Sequence, residues 1–325
     1  MNPFAYVIAQ TPETAVELVR SAGQQNGRFI AGGIDLLGEL KEHIAAPKTL
    51  VNIKVLPGTH AITPGADRWL IGANVTLAAV AAHPGLRQTF PGLAEAAEEV
   101  GSPQMRNIAT VGGNLAQHSR CWYYRHRDVR CLKKGGATCY AREGENKYHS
   151  LFTNATCLSP VVSNLAVALT ALDARVVVQR GARAETLTLP ELYASAWDNP
   201  RAHNSLRPAD LILRVEVPVA EGGRSVYRQQ SEKSSFDWAL VSCSAAARVG
   251  GRTVRGARVV LGVVAPMPWQ VDEANALLEG KELTETLAGQ AADLILRDAE
   301  PLAHNAYKVP LAHALIRRTL AALLG

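Results

Sequence analysis

Long apolar runs are missing from this 325-residue chain. No stretch reaches the about 18 consecutive apolar residues that a membrane-spanning helix needs. The N-terminus, MNPFAYVIAQTPETAVELV, has neither a basic leader nor an apolar core segment, so no secretory signal is read there. Cysteines number five, an odd count at low density, which argues against a disulfide scaffold and fits a reducing compartment or a cluster site. Aromatics are scarce at 6%. Neither G-x-G-x-x-G nor G-x-x-x-x-G-K-[ST] occurs, so a Rossmann nucleotide site and a P-loop are both unsupported. No nucleic-acid motif accompanies the net charge of +5.

That charge is concentrated. From Arg120 to Ser150 there are eight Lys/Arg against three Asp/Glu, a local excess equal to that of the whole chain. The same stretch, SRCWYYRHRDVRCLKKGGATCYAREGENKYHS from Ser119, holds three cysteines. Cys121, Cys131, Cys139 and Cys157 are 10, 8 and 18 residues apart, without the close pairs of a zinc knuckle. An iron–sulfur cluster tolerates such spacing, and Arg120, Arg125, Arg127, Arg130, Lys133 and Lys134 would offset its negative charge. The alternative is idle thiols in a solvated basic loop. Cys243, in an apolar strand, reads as core. His118, His126 and His149 flank the segment and read as polar groups rather than ligands.

Elsewhere the chain has ordinary globular texture, 47% hydrophobic and 19% charged, enough for two or three domains. Thr11 and Pro12 open a helix with apolar spacing through Ala22. RFIAGGIDLLGELKEHI reads as a strand, a glycine turn and a helix opening near Asp35, and TLVNIKVL as a second strand. RWLIGANVTLAAVAAHPGL starts another unit. SNLAVALTALDA reads as an apolar helix, RVVVQR and DLILRVEVP as strands, and residues 218–223 as a linker. Beyond it, VSCSAAARV and VRGARVVLGVVAP read as antiparallel strands, with helices at VDEANALLEG and VPLAHALIRRTLAALL. Two paired glycines, Gly32-Gly33 and Gly112-Gly113, are each placed between a strand and a helix. Their amides suit phosphate oxygens, and two such turns could clasp one diphosphate; either alone reads rather as a plain tight turn.

Taken in order, FIAGGIDLL, IATVGGNLA, SNLAVALTALDA, DLILRVEVP, FDWALVSCSAAA and ARVVLGVVAPMPWQVDEA resemble the FAD-binding medium subunit of molybdenum hydroxylases, the xanthine dehydrogenase, aldehyde oxidoreductase and carbon monoxide dehydrogenase group. The resemblance covers nearly the whole chain. It implies an α+β fold: a PCMH-type, vanillyl-alcohol-oxidase-like FAD-binding domain of two α/β subdomains (residues 1–58 and 59–220), followed by an α+β domain of antiparallel strands and helices at 224–325. It places FAD contacts on Phe29, Ile30, Ala31, Gly32, Gly33, Ile34, Asp35 and Leu36, and on Thr110, Val111, Gly112, Gly113 and Asn114. Asn164 stands where the family usually has the Asp of a Ser-Asp pair meeting the adenosine ribose. Leu213 falls where an aliphatic residue packs near the flavin or adenine. A family lysine near the flavin falls at Gln229, with Lys233 close by.

Asn114 and Asn164 are 50 positions apart, against about nine between the equivalent motifs of the simplest members. The extra residues, about 118–158, resemble the insertion of 4-hydroxybenzoyl-CoA reductase β subunits and periplasmic-type aldehyde oxidoreductase FAD subunits, in which four cysteines hold a [4Fe-4S] cluster. The resemblance thus implies Cys121, Cys131, Cys139 and Cys157 as ligands. It also implies a heterotrimer: a large molybdopterin-binding partner carrying the molybdenum cofactor, a small [2Fe-2S] partner, and an external acceptor such as NAD⁺, a quinone, ferredoxin or O₂. Substrate chemistry would lie on the large partner, so no catalytic acid or base is expected in this chain. The compartment expected is cytoplasmic, or periplasmic by co-export with a partner that carries the signal. The rival expectations are a stand-alone flavin oxidase, a zinc-stabilised basic module, and an FAD subunit whose insertion is empty.

Overall fold

The computed structural model describes residues 1–23, 25–234 and 236–325. The first helix, Pro12–Ser21, starts where Thr11 Oγ1 accepts from the Thr14 amide at 3.2 Å, and it buries Ala15, Val16 and Val19. It packs on a three-stranded parallel sheet of β1 (Ala5–Ile8), β2 (Gly27–Ile30) and β3 (Thr49–Asn52), in the order β1-β3-β2. Val7 and Phe29 both stand opposite Val51. All three strands run the same way, so their carboxyl ends share one edge, the edge at which open parallel sheets bind ligands. β2 leaves that edge directly into Gly32-Gly33 and the helix Leu36–Lys41.

A second, antiparallel sheet comprises β4 (Ile62–Thr63), β5 (Arg68–Gly72), β6 (Arg175–Arg180), β7 (Arg183–Thr188) and β8 (Leu211–Pro218), ordered β4-β5-β8-β6-β7. A third, also antiparallel, comprises β9 (Gly223–Ser231), β10 (Ala239–Gly250), β11 (Thr253–Gly262) and β12 (Lys281–Glu282), ordered β12-β11-β10-β9. The helix Asn164–Ala171 is buried from Leu165 onward, which explains its apolar character all round. It shares one core with Val176, Val178 and Val215 of the second sheet and Val260 of the third. The helices Glu285–Leu296 and Lys308–Ala322 cover the third sheet, with fully buried Cys243 in that core.

Two local expectations change. The linker expected up to Gly223 is shorter, because Gly223 already begins β9 and pairs with Arg248 of β10. The second glycine pair has no strand before it. The helical turn Pro103–Arg106 precedes it, and Thr110 makes only a single antiparallel bridge with Thr76 before the helix Val111–Leu115. The cysteine segment carries little regular structure, a short helix at Trp122–Arg125 and a 3₁₀ turn at Leu132–Lys134. Backbone hydrogen bonds outside regular elements, such as Leu151 N–H to Val264 O at 2.7 Å and Thr156 N–H to Trp197 O at 3.1 Å, hold it together with side chains, and its far end is gripped by the start of the last helix.

Candidate functional site

A cleft of about 1530 Å³ opens beside the carboxyl edge of the parallel sheet. Its wall includes every residue from Phe29 to Leu36, together with Thr110, Gly113, Asn114, Asn164 and Gln229. The first glycine pair and Gly113 of the second line it, but the two corners do different work. At the first, Gly33 has φ +74°, a left-handed conformation that favours glycine. Gly32 is needed for space: a Cβ on it would lie 2.2 Å from the Ile108 carbonyl oxygen. The amides of Gly32, Gly33, Ile34 and Asp35 find no acceptor among the described residues. They form a row of open donors along the cleft, the arrangement that oxyanions require.

At the second pair the amides are already used. Val111 N–H donates to Val75 O at 2.9 Å, Gly112 N–H to Ala73 O at 2.8 Å, and Gly113 N–H to Thr110 Oγ1 at 3.1 Å. Val111 and Gly112 are buried and do not reach the cleft. This corner offers side chains instead. Asn114 Oδ1 accepts from the Ser163 hydroxyl at 2.6 Å, and Ser163 also caps the helix that begins at Asn164. That contact closes the base of the insertion. Asn164 Nδ2 donates to Gln229 Oε1 at 3.1 Å. Leu213 lies apart from the cleft, half-buried against the core of the first sheet. Lys233 is exposed; from its loop, Phe236, Asp237 and Trp238 line the cleft.

Asp35 lines the cleft with both oxygens committed. Oδ1 accepts from Arg120 at 2.9 Å and from Arg125, and Oδ2 accepts from the His118 amide at 2.7 Å. The first glycine corner is thereby tied to the start of the insertion. One turn further along the helix, Glu39 is 2% exposed. Glu39 is a residue that the sequence alone does not single out. An acidic residue four positions after Asp35 shares its helix face, and that was the available signal.

Inside the insertion, Cys121, Cys131, Cys139 and Cys157 line one small cavity with Ser119, Tyr123, Lys133 and His149. All four are free thiols. The loop after Cys131 turns tightly on two glycines. Gly135 has φ +85°, and a Cβ on Gly136 would sit 1.9 Å from Arg130 O. Burial pushes the Cys121 thiol up to about 12 and raises that of Cys157. The Lys133 ammonium, 9% exposed, is pushed down by burial and is opposed by the charges of all four cysteines; it donates to Ala202 O at 2.7 Å. His149 Nε2 lies 3.1 Å from Cys121 Sγ, and His149 Nδ1 is a buried atom without a hydrogen-bond partner. Among the described residues no three His, Cys, Asp or Glu side chains close on a single metal-ion position. A lone zinc would draw its ligands to about 2.3 Å. The cavity that the four cysteines share measures about 10 Å³.

Comparison with known proteins agrees with this architecture. Residues 2–220 match the family described as FAD binding domain in molybdopterin dehydrogenase, and residues 225–323 match the CO dehydrogenase flavoprotein C-terminal domain. The chain is 33% identical to the aldehyde oxidoreductase FAD-binding subunit PaoB of Escherichia coli, over 100% of this chain and 98% of that one. It is 24% identical to the carbon monoxide dehydrogenase medium chain of Hydrogenophaga pseudoflava, over 95% and 94%. A solved carbon monoxide dehydrogenase structure from the same organism superposes with a TM-score of 0.79, covering 99% of this chain and 97% of that one. Quinoline 2-oxidoreductase from Pseudomonas putida 86 does so with 0.76 at 21% identity, over 99% and 96%.

Proposed function

Because the chain belongs to the family of FAD-binding medium subunits of molybdenum hydroxylases, we propose that it is the electron-exit subunit of a heteromeric aldehyde-oxidising enzyme, holding FAD in the cleft and a [4Fe-4S] cluster in the insertion. The observation that carries the FAD site is the row of open amides from Gly32 to Asp35 at the carboxyl edge of a parallel sheet. These amides bind the diphosphate. Thr110, Asn114 and Asn164 offer hydroxyl and amide groups to the rest of the dinucleotide, and the second glycine corner serves as a braced wall rather than a second clasp. Bound there, FAD supplies the exchange between one-electron and two-electron transfer.

The donor set of the insertion fits a cluster. Four unpaired thiols face one cavity, and Lys133 beside them offsets the charge that four thiolates and their iron would carry. Metal binding would draw off the thiol protons that burial otherwise retains. A large molybdopterin-binding partner carries the substrate chemistry, a small [2Fe-2S] partner passes electrons on, and an external acceptor takes them. The likeness to PaoB supports aldehydes as the substrate class. No helix among the described residues is long and apolar enough to cross a membrane. The compartment then follows whichever partner carries an export signal.

Anaerobic purification of the assembled complex, with flavin and iron counted per chain, tests both cofactors. One FAD and about four irons in this chain are expected. A colourless chain overturns the reading. A yellow chain without iron leaves FAD in place and removes the cluster.

A further inference from the structure

Glu39 and His118 form a hydrogen-bonded pair on the cleft wall that FAD binding alone does not use. Glu39 Oε1 accepts from the Tyr124 hydroxyl at 2.6 Å and stands 2.9 Å from His118 Nδ1. Burial by itself would push the Glu39 carboxyl up. Hydrogen bonds from His118 and Tyr124, with the charges of His118 and Arg125, outweigh it and hold the group at about 2. An ionised carboxylate can only accept, so Nδ1 carries the hydrogen and Nε2 is the accepting nitrogen of the neutral ring. Nε2 has no hydrogen-bond partner among the described residues, and the side chain is 24% exposed toward the cleft.

The ring is also fixed from its face. His203 stacks on it at 3.9 Å between centroids, 5° from parallel. Burial, with the neighbouring charges of His118, Lys133, Arg125 and Arg28, pushes His203 well below the usual imidazole range, so it stays neutral. Its Nδ1 accepts from the Ser119 amide at 3.0 Å. The other charged groups facing the pair are Asp35, Arg120 and Arg125: Asp35 pairs with both arginines, and Arg125 also stands 3.9 Å from Glu39 Oε1. An imidazole with one nitrogen held by a buried carboxylate and the other open to a ligand cleft is the geometry of a general acid–base group.

We propose that the Glu39–His118 pair is the proton-exchange group of the cleft, with His118 as the exchanging residue and Glu39 as its positioning residue. The inference rests on the FAD reading above. Iron–sulfur donors deliver electrons singly and without protons. Converting oxidised flavin to its singly protonated reduced form takes two electrons and one proton. Two electrons would arrive from an iron–sulfur donor and one proton would pass from Nε2, leaving the ring neutral. When two electrons left again to one-electron acceptors, the one proton released would return to the neutral Nε2. Glu39 would accept from Nδ1–H in both forms of the ring and so hold its orientation.

The test uses the assembled complex. His118→Gln is reduced by an artificial one-electron donor in a rapid-mixing experiment across pH, in light and heavy water. About a hundredfold slower flavin reduction is expected, with the pH dependence and solvent isotope effect lost, FAD content unchanged, and partial rescue by added imidazole. A yellow variant with the wild-type rate, pH profile and isotope effect overturns the proposal. Because a colourless preparation would sink the FAD reading instead, nitrogen NMR of His118 in the FAD-free native chain provides a separate measurement. The Nδ1–H tautomer is expected; an Nε2–H tautomer overturns the proposal whatever the variant does.

Discussion

The side-chain amide of Asn164 donates to Gln229 at 3.1 Å, and the Gln229 amide donates in turn to Glu99 at 3.1 Å. Both residues stand where the family resemblance expects charge, an acid after Ser163 and a lysine near the flavin. In this chain the two departures touch through a neutral hydrogen bond. Their surroundings are acidic. Burial, and then the nearby charges of Glu98 and Glu95, raise the Glu99 carboxyl.

This contact makes the two positions interdependent. Asn164→Asp alone adds another negative charge to the group and is expected to lower stability by about 1 kcal/mol. Gln229→Lys in the same chain is expected to recover most of that loss, with a coupling of about 1 kcal/mol. A double-mutant cycle in urea measures it. Strict additivity would show that the two departures are unrelated.

Cys131 is buried, and the loop that follows it folds back so that the Lys134 and Gly136 amides both donate to its carbonyl at 2.9 Å. Its sulfur therefore sits on a rigid support. Cys131→Ala is expected to lose the iron and the cluster's visible absorption while keeping FAD, since the first glycine corner does not depend on it. Iron analysis and a flavin count on the same sample check this. Lys133→Met is expected to keep the iron and make the cluster harder to reduce, because a buried positive charge that favours the reduced state is gone. Potentiometry reads that shift.

Gly32→Ala tests the contact between the two corners. Its Cβ would stand 2.2 Å from Ile108 O, and backbone cannot yield as a side-chain tip can. The corners must part, at a cost of about 1–3 kcal/mol. FAD content is expected to fall sharply in Gly32→Ala, whereas Gly181→Ala, with open space around its Cβ, should keep its FAD despite its positive φ. Flavin release measured by fluorescence separates the two.

Much of this was legible in the sequence because it is written locally. The Thr11 cap, the glycine turn before Asp35, the apolar helix after Ser163 and the paired strands β10 and β11 each announce themselves within about a dozen residues. β9 was passed over because its outward positions carry Arg224, Arg228 and Gln230, while only Ser225 and Tyr227 are buried, too short an alternation to read. The second glycine corner looked like the first, yet its amides are spent on Val75 and Ala73, partners that no local pattern reveals. His118 was read as a polar flank of the insertion. The group that gives it a role is Glu39, 79 positions earlier, and only the fold brings them together.

Lys308 is fully buried. Its ammonium donates to Val263 O at 2.9 Å, His149 O at 3.1 Å and Tyr148 O at 3.2 Å, fastening the far end of the insertion to the final helix. Burial pushes it down to about 7. In the unfolded chain a lysine titrates near 10.4. Between these values the unfolded state holds more protons than the folded one, so stability should rise with pH across that interval. Below about 7 the full cost of the buried charge is present. Lys308→Met removes the titration but leaves three carbonyl oxygens without their donor. It is expected to flatten the rise between pH 7 and 10 and to lower stability at pH 9 by about 1–3 kcal/mol. Urea unfolding at several pH values reads both effects. A slope unchanged by the substitution would show that Lys308 is not the group responsible.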